Sequence, residues 1–158
     1  IAQPPAFVQQ PGVVERKNRL TPIVPGRAEG KLIGGNLSLL VTLLGTPYEP
    51  EFDGAIMFME DVSAPPYSGD RMLTHLWITG QLEQTAGIIF GKFTDDDYDS
   101  NTLSMEHVLR ERCEPLGIPT LRGAMIGHVE DQTVVPIGVN ARLDVDEGTL
   151  KLLEPAVR

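Results

Sequence analysis

The chain has 158 residues, enough for one domain with a real core, and sets 13 Lys+Arg against 22 Asp+Glu for a net charge of −9. A hydrophobic content of 41% with 22% charged residues argues against disorder, and the acidic balance without a basic cluster argues against a nucleic-acid partner. The longest apolar stretches, 39–44 and 55–59, are far short of a membrane span, and no signal-peptide pattern is visible. A single cysteine, Cys113, excludes an intrachain disulfide and a cysteine-based zinc site.

Residues 1–27 hold Pro4, Pro5, Pro11, Pro22 and Pro25 and no sustained apolar periodicity, so they read as an extended linker or interdomain arm. From residue 28 the sequence reads as one folded domain to residue 158. Lys31 to Ile33 is a short strand, and Gly34-Gly35 is expected to turn the chain. Asn36 can then cap a helix from Leu37 to Leu44, closed by Gly45 and Pro47 and apolar enough all round to be buried. The run Ala55 to Met59 suits a strand covered on both faces.

Ser68 is the expected cap of the next helix, on which Met72, Leu73, Leu76 and Trp77 recur at helical spacing and Asp70-Arg71 reads as an ion pair at the start. Ala86 to Phe90 is a second apolar strand. After the acidic turn Asp95-Asp96-Asp97, which with Asp99 reads as solvated rather than calcium-binding, Met105 to Glu114 forms a helix capped by Ser104. Met105, Val108, Leu109 and Cys113 share one of its faces. Leu121 to Ile126 is a third strand. Val139, Ala141, Leu143 and Val145 alternate with polar residues and lead through Asp146-Glu147-Gly148 into Thr149–Leu153, a β-hairpin. Strands mixed with helices make this an α/β layered domain.

Three apolar strands end in a polar or glycine-containing signature: Met59 runs into Glu60-Asp61, Phe90 into Gly91-Lys92, and Ile126 into Gly127-His128. Ligands bind layered α/β proteins beyond the carboxyl ends of strands, and a carboxylate there can orient an imidazole as an acid/base group. Successive strand residues face opposite ways, so one of Glu60 and Asp61 reaches such a histidine; the other is expected to accept turn N–H groups. His75 and His107 lie inside helices at ordinary positions and read as structural or exposed. Lys92 receives no role.

The stretches Gly30-Lys-Leu-Ile-Gly-Gly-Asn-Leu-Ser-Leu-Leu40, Gly45-Thr-Pro47, Phe58-Met-Glu-Asp-Val62, Tyr67-Ser-Gly-Asp-Arg71, Gly87-Ile-Ile-Phe-Gly-Lys-Phe93 and Gly127-His128 occur in one order. Together they resemble the C-terminal domain of the LD-carboxypeptidases, also called muramoyltetrapeptide carboxypeptidases. The resemblance implies a swivelling β/β/α domain that supplies the glutamate and histidine of a Ser–Glu–His triad, here Glu60 and His128. It implies cleavage of the L,D-peptide bond between meso-diaminopimelate and terminal D-alanine in murein tetrapeptides during wall recycling. It further implies a cytoplasmic homodimer without metal or organic cofactor, whose N-terminal domain carries the nucleophile.

Two positions depart from the family pattern: Gly69 stands where an aliphatic residue is usual, and Ala64 where an acidic one is common. None of Ser38, Ser63, Ser68, Ser100 and Ser104 sits in a nucleophile elbow, so these residues alone are expected to hydrolyse nothing. Two other readings stay open. One is a microcin self-immunity peptidase, with Tyr67 or Tyr98 as the aromatic that holds a purine. The other is a non-catalytic interaction domain.

Overall fold

A computed structural model describes residues 6–7, 19–94 and 103–157. Its strands are β1 (Ala6–Phe7), β2 (Thr21–Val24), β3 (Arg27–Asn36), β4 (Ile56–Val62), β5 (Gly87–Thr94), β6 (Thr120–Arg122), β7 (Asn140–Asp144) and β8 (Thr149–Leu152). Its helices are α1 (Leu37–Thr42), α2 (Pro66–Ile78), α3 (Gln81–Gln84) and α4 (Met105–Cys113), the last running into a 3-10 turn at Glu114–Leu116.

The strands form one sheet in the order β1-β8-β7-β3-β4-β5-β6-β2. β3 to β6 run parallel, and β3 serves two neighbours: residues 27–31 pair antiparallel with β7, and residues 32–36 pair parallel with β4. Alternation along β4 then divides the core. Met57 and Met59 face the helices, packed with Leu37, Leu73, Leu76, Phe90 and Leu109. Ile56 and Phe58 face the other way, packed with Ile89, Ile126 and the hairpin residues Leu143, Leu150 and Leu152. The result is helices over one face of the parallel strands and the curled hairpin over the other, the β/β/α layering expected.

Several elements match the sequence expectations closely. Strand β4 is buried from Ile56 through Asp61. Asn36 caps α1 by accepting from Leu39 N at 3.1 Å, and Ser104 caps α4 by accepting from His107 N at 3.2 Å. Met105, Val108, Leu109 and Cys113 form the buried face of α4.

Other expectations are corrected. Gly34-Gly35 do not turn the chain but lie inside β3, because a side chain at residue 34 would collide with the Phe58 carbonyl on β4. Helix α1 is shorter than expected and only half covered: Leu37 and Leu40 are buried while Leu39 points to solvent. Helix α2 starts at Pro66, not after Ser68, since proline is preset for the first helical turn. Ser68 instead accepts from Arg71 Nη2 at 3.2 Å. Asp70 pairs across to Arg112 of α4, with Oδ1 2.6 Å from Nη2, and not with its neighbour Arg71. The third strand stops at Arg122, because Gly123 has φ of 91° and leaves the extended region.

Thr21–Val24, within the segment read as an arm, forms the edge strand β2 beside β6. The acidic turn at 95–97, together with Tyr98, Asp99 and Ser100, lies outside the described residues. Gly69 has a packing reason: a Cβ there would stand 2.8 Å from the methyl carbon of Met105, where α2 meets α4. No helix among the described residues is long and apolar enough to cross a membrane.

Candidate active site

The site begins at the carboxyl end of β4, where the alternation that sorts the core also sorts two carboxylates. Glu60 continues the Ile56–Phe58 face and Asp61 the Met57–Met59 face. Both are buried, at 7% and 3% exposure, so each needs a partner for its charge.

Asp61 finds its partners in the β3–α1 junction. Its Oδ2 accepts from Ser38 N at 2.9 Å and Ser38 Oγ at 2.7 Å, and its Oδ1 accepts from Asn36 Nδ2 at 2.9 Å and Val62 N at 2.8 Å. Asp61 therefore ties the first turn of α1 to the end of β4. The turn role expected for the second carboxylate is the one seen, enlarged by two side-chain donors that sequence reasoning had not connected with it.

Glu60 meets His128. Its Oε2 lies 2.9 Å from His128 Nδ1, with the Glu60 side chain 9% exposed and the imidazole 55% exposed. A carboxylate accepting from Nδ1–H fixes the tautomer in which Nε2 carries the lone pair and can take a proton. The arrangement is thus a buried orienting acid behind a half-exposed base. His128 reaches this place because Ile126 is packed in the core beneath the hairpin and Gly127, with φ of 122°, redirects the chain over Glu60.

The other histidines stand apart. His75 and His107 are exposed on α2 and α4, and His107 Nε2 lies 3.9 Å from Glu111 one turn on. A cavity of about 540 Å³ opens between α1 and α2, lined by Ser38, Ser68, Arg71, Met72 and His75, and neither Glu60 nor His128 contributes to it. Ser38 is engaged with Asp61 and stands with no described contact to His128.

At the end of β5, Lys92 has its ammonium pKa lowered by burial and, secondarily, by the Arg122 charge. Arg122 itself pairs with Glu106, whose carboxyl it holds below the usual carboxylate range. Among the described residues no three His, Cys, Asp or Glu side chains converge as a metal site.

Comparison with known proteins places the chain in a family. Residues 29–143 match the family profile described as the LD-carboxypeptidase C-terminal domain. The "Probable murein peptide carboxypeptidase" of Bacillus subtilis is 43% identical over 137 residues, a stretch covering 85% of this chain and 43% of that protein. Among solved structures, the complex of MccF with glutamyl sulfamoyl guanosine superposes with a TM-score of 0.81 at 27% identity, covering 89% of this chain and 42% of that one. The muramoyltetrapeptide carboxypeptidase of Oxalobacter formigenes superposes with a TM-score of 0.74 at 30% identity, covering 85% and 48%. The chain thus spans less than half the length of these relatives. With its fold, its layered core and its matched segment all in agreement, the chain belongs to the LD-carboxypeptidase family and corresponds to that family's C-terminal domain.

Proposed function

We propose that this domain supplies the Glu60–His128 half of a Ser–Glu–His hydrolase, whose nucleophilic serine lies on an N-terminal domain outside these residues. The substrate in this reading is a murein tetrapeptide, cut between meso-diaminopimelate and terminal D-alanine. The observation that carries the reading is the 2.9 Å contact between a buried carboxylate and a half-exposed imidazole. The family membership and the 43% identity to a protein named "Probable murein peptide carboxypeptidase" support this substrate class.

In this reaction the serine oxygen attacks the diaminopimelate carbonyl carbon while His128 Nε2 accepts the hydroxyl proton. The imidazolium then delivers that proton to the departing amine of D-alanine as the C–N bond breaks. Water repeats the sequence on the acyl-enzyme, with His128 again as base. Glu60 stays ionised throughout, holding Nδ1–H and stabilising the imidazolium. The resemblance also carries a cytoplasmic setting in wall recycling and a homodimer.

The test is release of D-alanine from murein tetrapeptide by this chain alone and by a two-domain enzyme containing it. The chain alone should release none, and the two-domain enzyme should turn over. Steady release by the chain alone, abolished by mutating one of its own serines, would overturn the reading. A second reading, hydrolysis of an aminoacyl nucleotide amide, is favoured by the TM-score of 0.81 to MccF and by Tyr67, which is 67% exposed at the start of α2. Comparing kcat/KM for the tetrapeptide and for an aminoacyl sulfamoyl nucleoside separates the two.

A further inference from the structure

We infer that Gly127 is a positioning residue for the Glu60–His128 pair, pressed onto Glu60 by a bulge in β5 that lies opposite it. The inference rests on the reading of that pair as the reacting groups.

The bulge is visible in the register. Met59 pairs with Phe90 and Asp61 with Phe93, so Gly91 and Lys92 together face the single residue Glu60. Bulges bend a strand and re-aim what it carries. This one reaches the histidine loop directly: Lys92 N donates to Ile126 O at 2.8 Å, and a side chain at residue 91 would collide with that same carbonyl. Phe90 O, one residue earlier, accepts from Gly123 N at 2.9 Å and Ala124 N at 3.1 Å. The segment leading to His128 is therefore pinned along β5 by backbone bonds.

Gly127 completes the arrangement. Its φ of 122° is a conformation that L side chains rarely adopt. A Cβ there would stand 2.8 Å from Glu60 Oε2, 3.1 Å from Glu60 Cβ and 3.1 Å from Lys92 O. The first of these atoms is the one that bonds His128 Nδ1. It is also the mobile end of a side chain, whereas Lys92 O belongs to the strand. An added methyl group therefore displaces the carboxylate more readily than the sheet. The pair gives way before the fold does.

The experiment compares Gly127→Ala with Gly138→Ala in this chain and in the two-domain enzyme. Gly138 has φ of 83°, and a methyl group added there would meet nothing within 4 Å, so its substitution carries backbone strain alone. The readout is the ¹⁵N signature of the His128 ring, which reports the tautomer, together with the Nδ1–H proton hydrogen-bonded to Glu60. Gly138→Ala should keep both. Gly127→Ala should lose the Nδ1–H signal and mix the tautomers, and should lower kcat at least tenfold with KM little changed.

If Gly127→Ala does not fold, Gly91→Ala, which acts on Ile126 O from the strand side, should weaken the same Nδ1–H signal. A variant at residue 127 that folds and keeps the wild-type ring signature would overturn the inference, as would a folded Gly91→Ala with an unchanged signature in the case where residue 127 tolerates no side chain. Failure of both variants to fold would overturn it too, by showing that the sheet yields before the pair. The ring signature reads geometry without turnover. A Glu60→Gln enzyme that remained fully active would overturn the proposed catalytic role and leave the positioning result standing.

Discussion

Glu60 and Asp61 share a peptide bond yet serve opposite faces of the sheet: Glu60 bonds His128 beside the hairpin layer, and Asp61 bonds Ser38 and Asn36 at the start of α1. The separation follows from the pleat of β4, and it assigns the two acids different work. One acts on an imidazole and the other on a chain junction.

Glu60→Gln should therefore impair catalysis while leaving the fold intact. Gln can present its amide nitrogen toward Nδ1 and favour the wrong tautomer, a change worth about 10⁴ in kcat in a Ser–His–Asp enzyme. Asp61→Asn should act mainly on stability, by about 1–3 kcal/mol, since its amide nitrogen would face donors that the carboxylate now accepts. Measuring kcat and the denaturant midpoint for both variants in the two-domain enzyme checks the division. If Asp61→Asn abolishes turnover and Glu60→Gln does not, the roles are reversed.

His128→Ala should lower kcat by about three orders of magnitude or more, as expected when the base of a triad is lost. Its stability cost should be about 1–3 kcal/mol, because the half-exposed ring contributes little packing but its loss leaves the buried Glu60 carboxylate without its hydrogen-bond partner. His75→Ala and His107→Ala, on exposed helix faces, should change stability by about 0.5 kcal/mol or less and leave turnover unaltered. A His128→Ala enzyme with a tenth of the wild-type kcat would show that another group takes the proton.

Glu106 links stability to acid. The hydrogen bond from Arg122 holds its carboxyl below the usual range, and Arg110 adds to the effect. A depressed carboxyl stabilises the fold above its unfolded pKa of about 4.3, and that contribution is lost as pH falls through the lower folded value. The side chain is 46% exposed, so the amount is under about 1 kcal/mol. Urea midpoints taken from pH 6 down to 3 should fall less steeply below pH 4 for Glu106→Gln than for wild type. Parallel curves would mean that Glu106 carries none of the acid sensitivity.

Cys113 should be inert in the folded chain. It lies fully covered on the inner face of α4, and burial pushes its thiol up to about 12. At pH 8 an aromatic disulfide reagent should react only as fast as the chain opens, and denaturant should release the thiol at once. Rapid labelling without denaturant would show that α4 detaches from the sheet under native conditions.

How much of this was legible in the sequence depends on how local each feature is. The apolar runs of β4 and β5, the alternation of the β7–β8 hairpin, the caps Asn36 and Ser104 and the buried face of α4 are set by neighbours within a few residues, and each appears where the pattern places it. The ordered family motifs likewise marked Glu60 and His128 as residues to bring together. Local signals misled where a distant partner overrode them. Gly34-Gly35 look like a turn, yet they extend β3 because β4 must pass within contact of residue 34. Asp70-Arg71 look like a pair, yet Asp70 bonds Arg112, 42 positions away.

The contact between Glu60 and His128 spans 68 positions and depends on the parallel register of β4 against β5, on the bulge at Gly91-Lys92 and on the glycine that folds the loop over the carboxylate. Residue types and spacing determined most of the elements, and the family resemblance singled out Glu60 and His128. Only the tertiary structure decided which face each acid occupies and which partner it meets, because register and loop closure join residues that share no local periodicity.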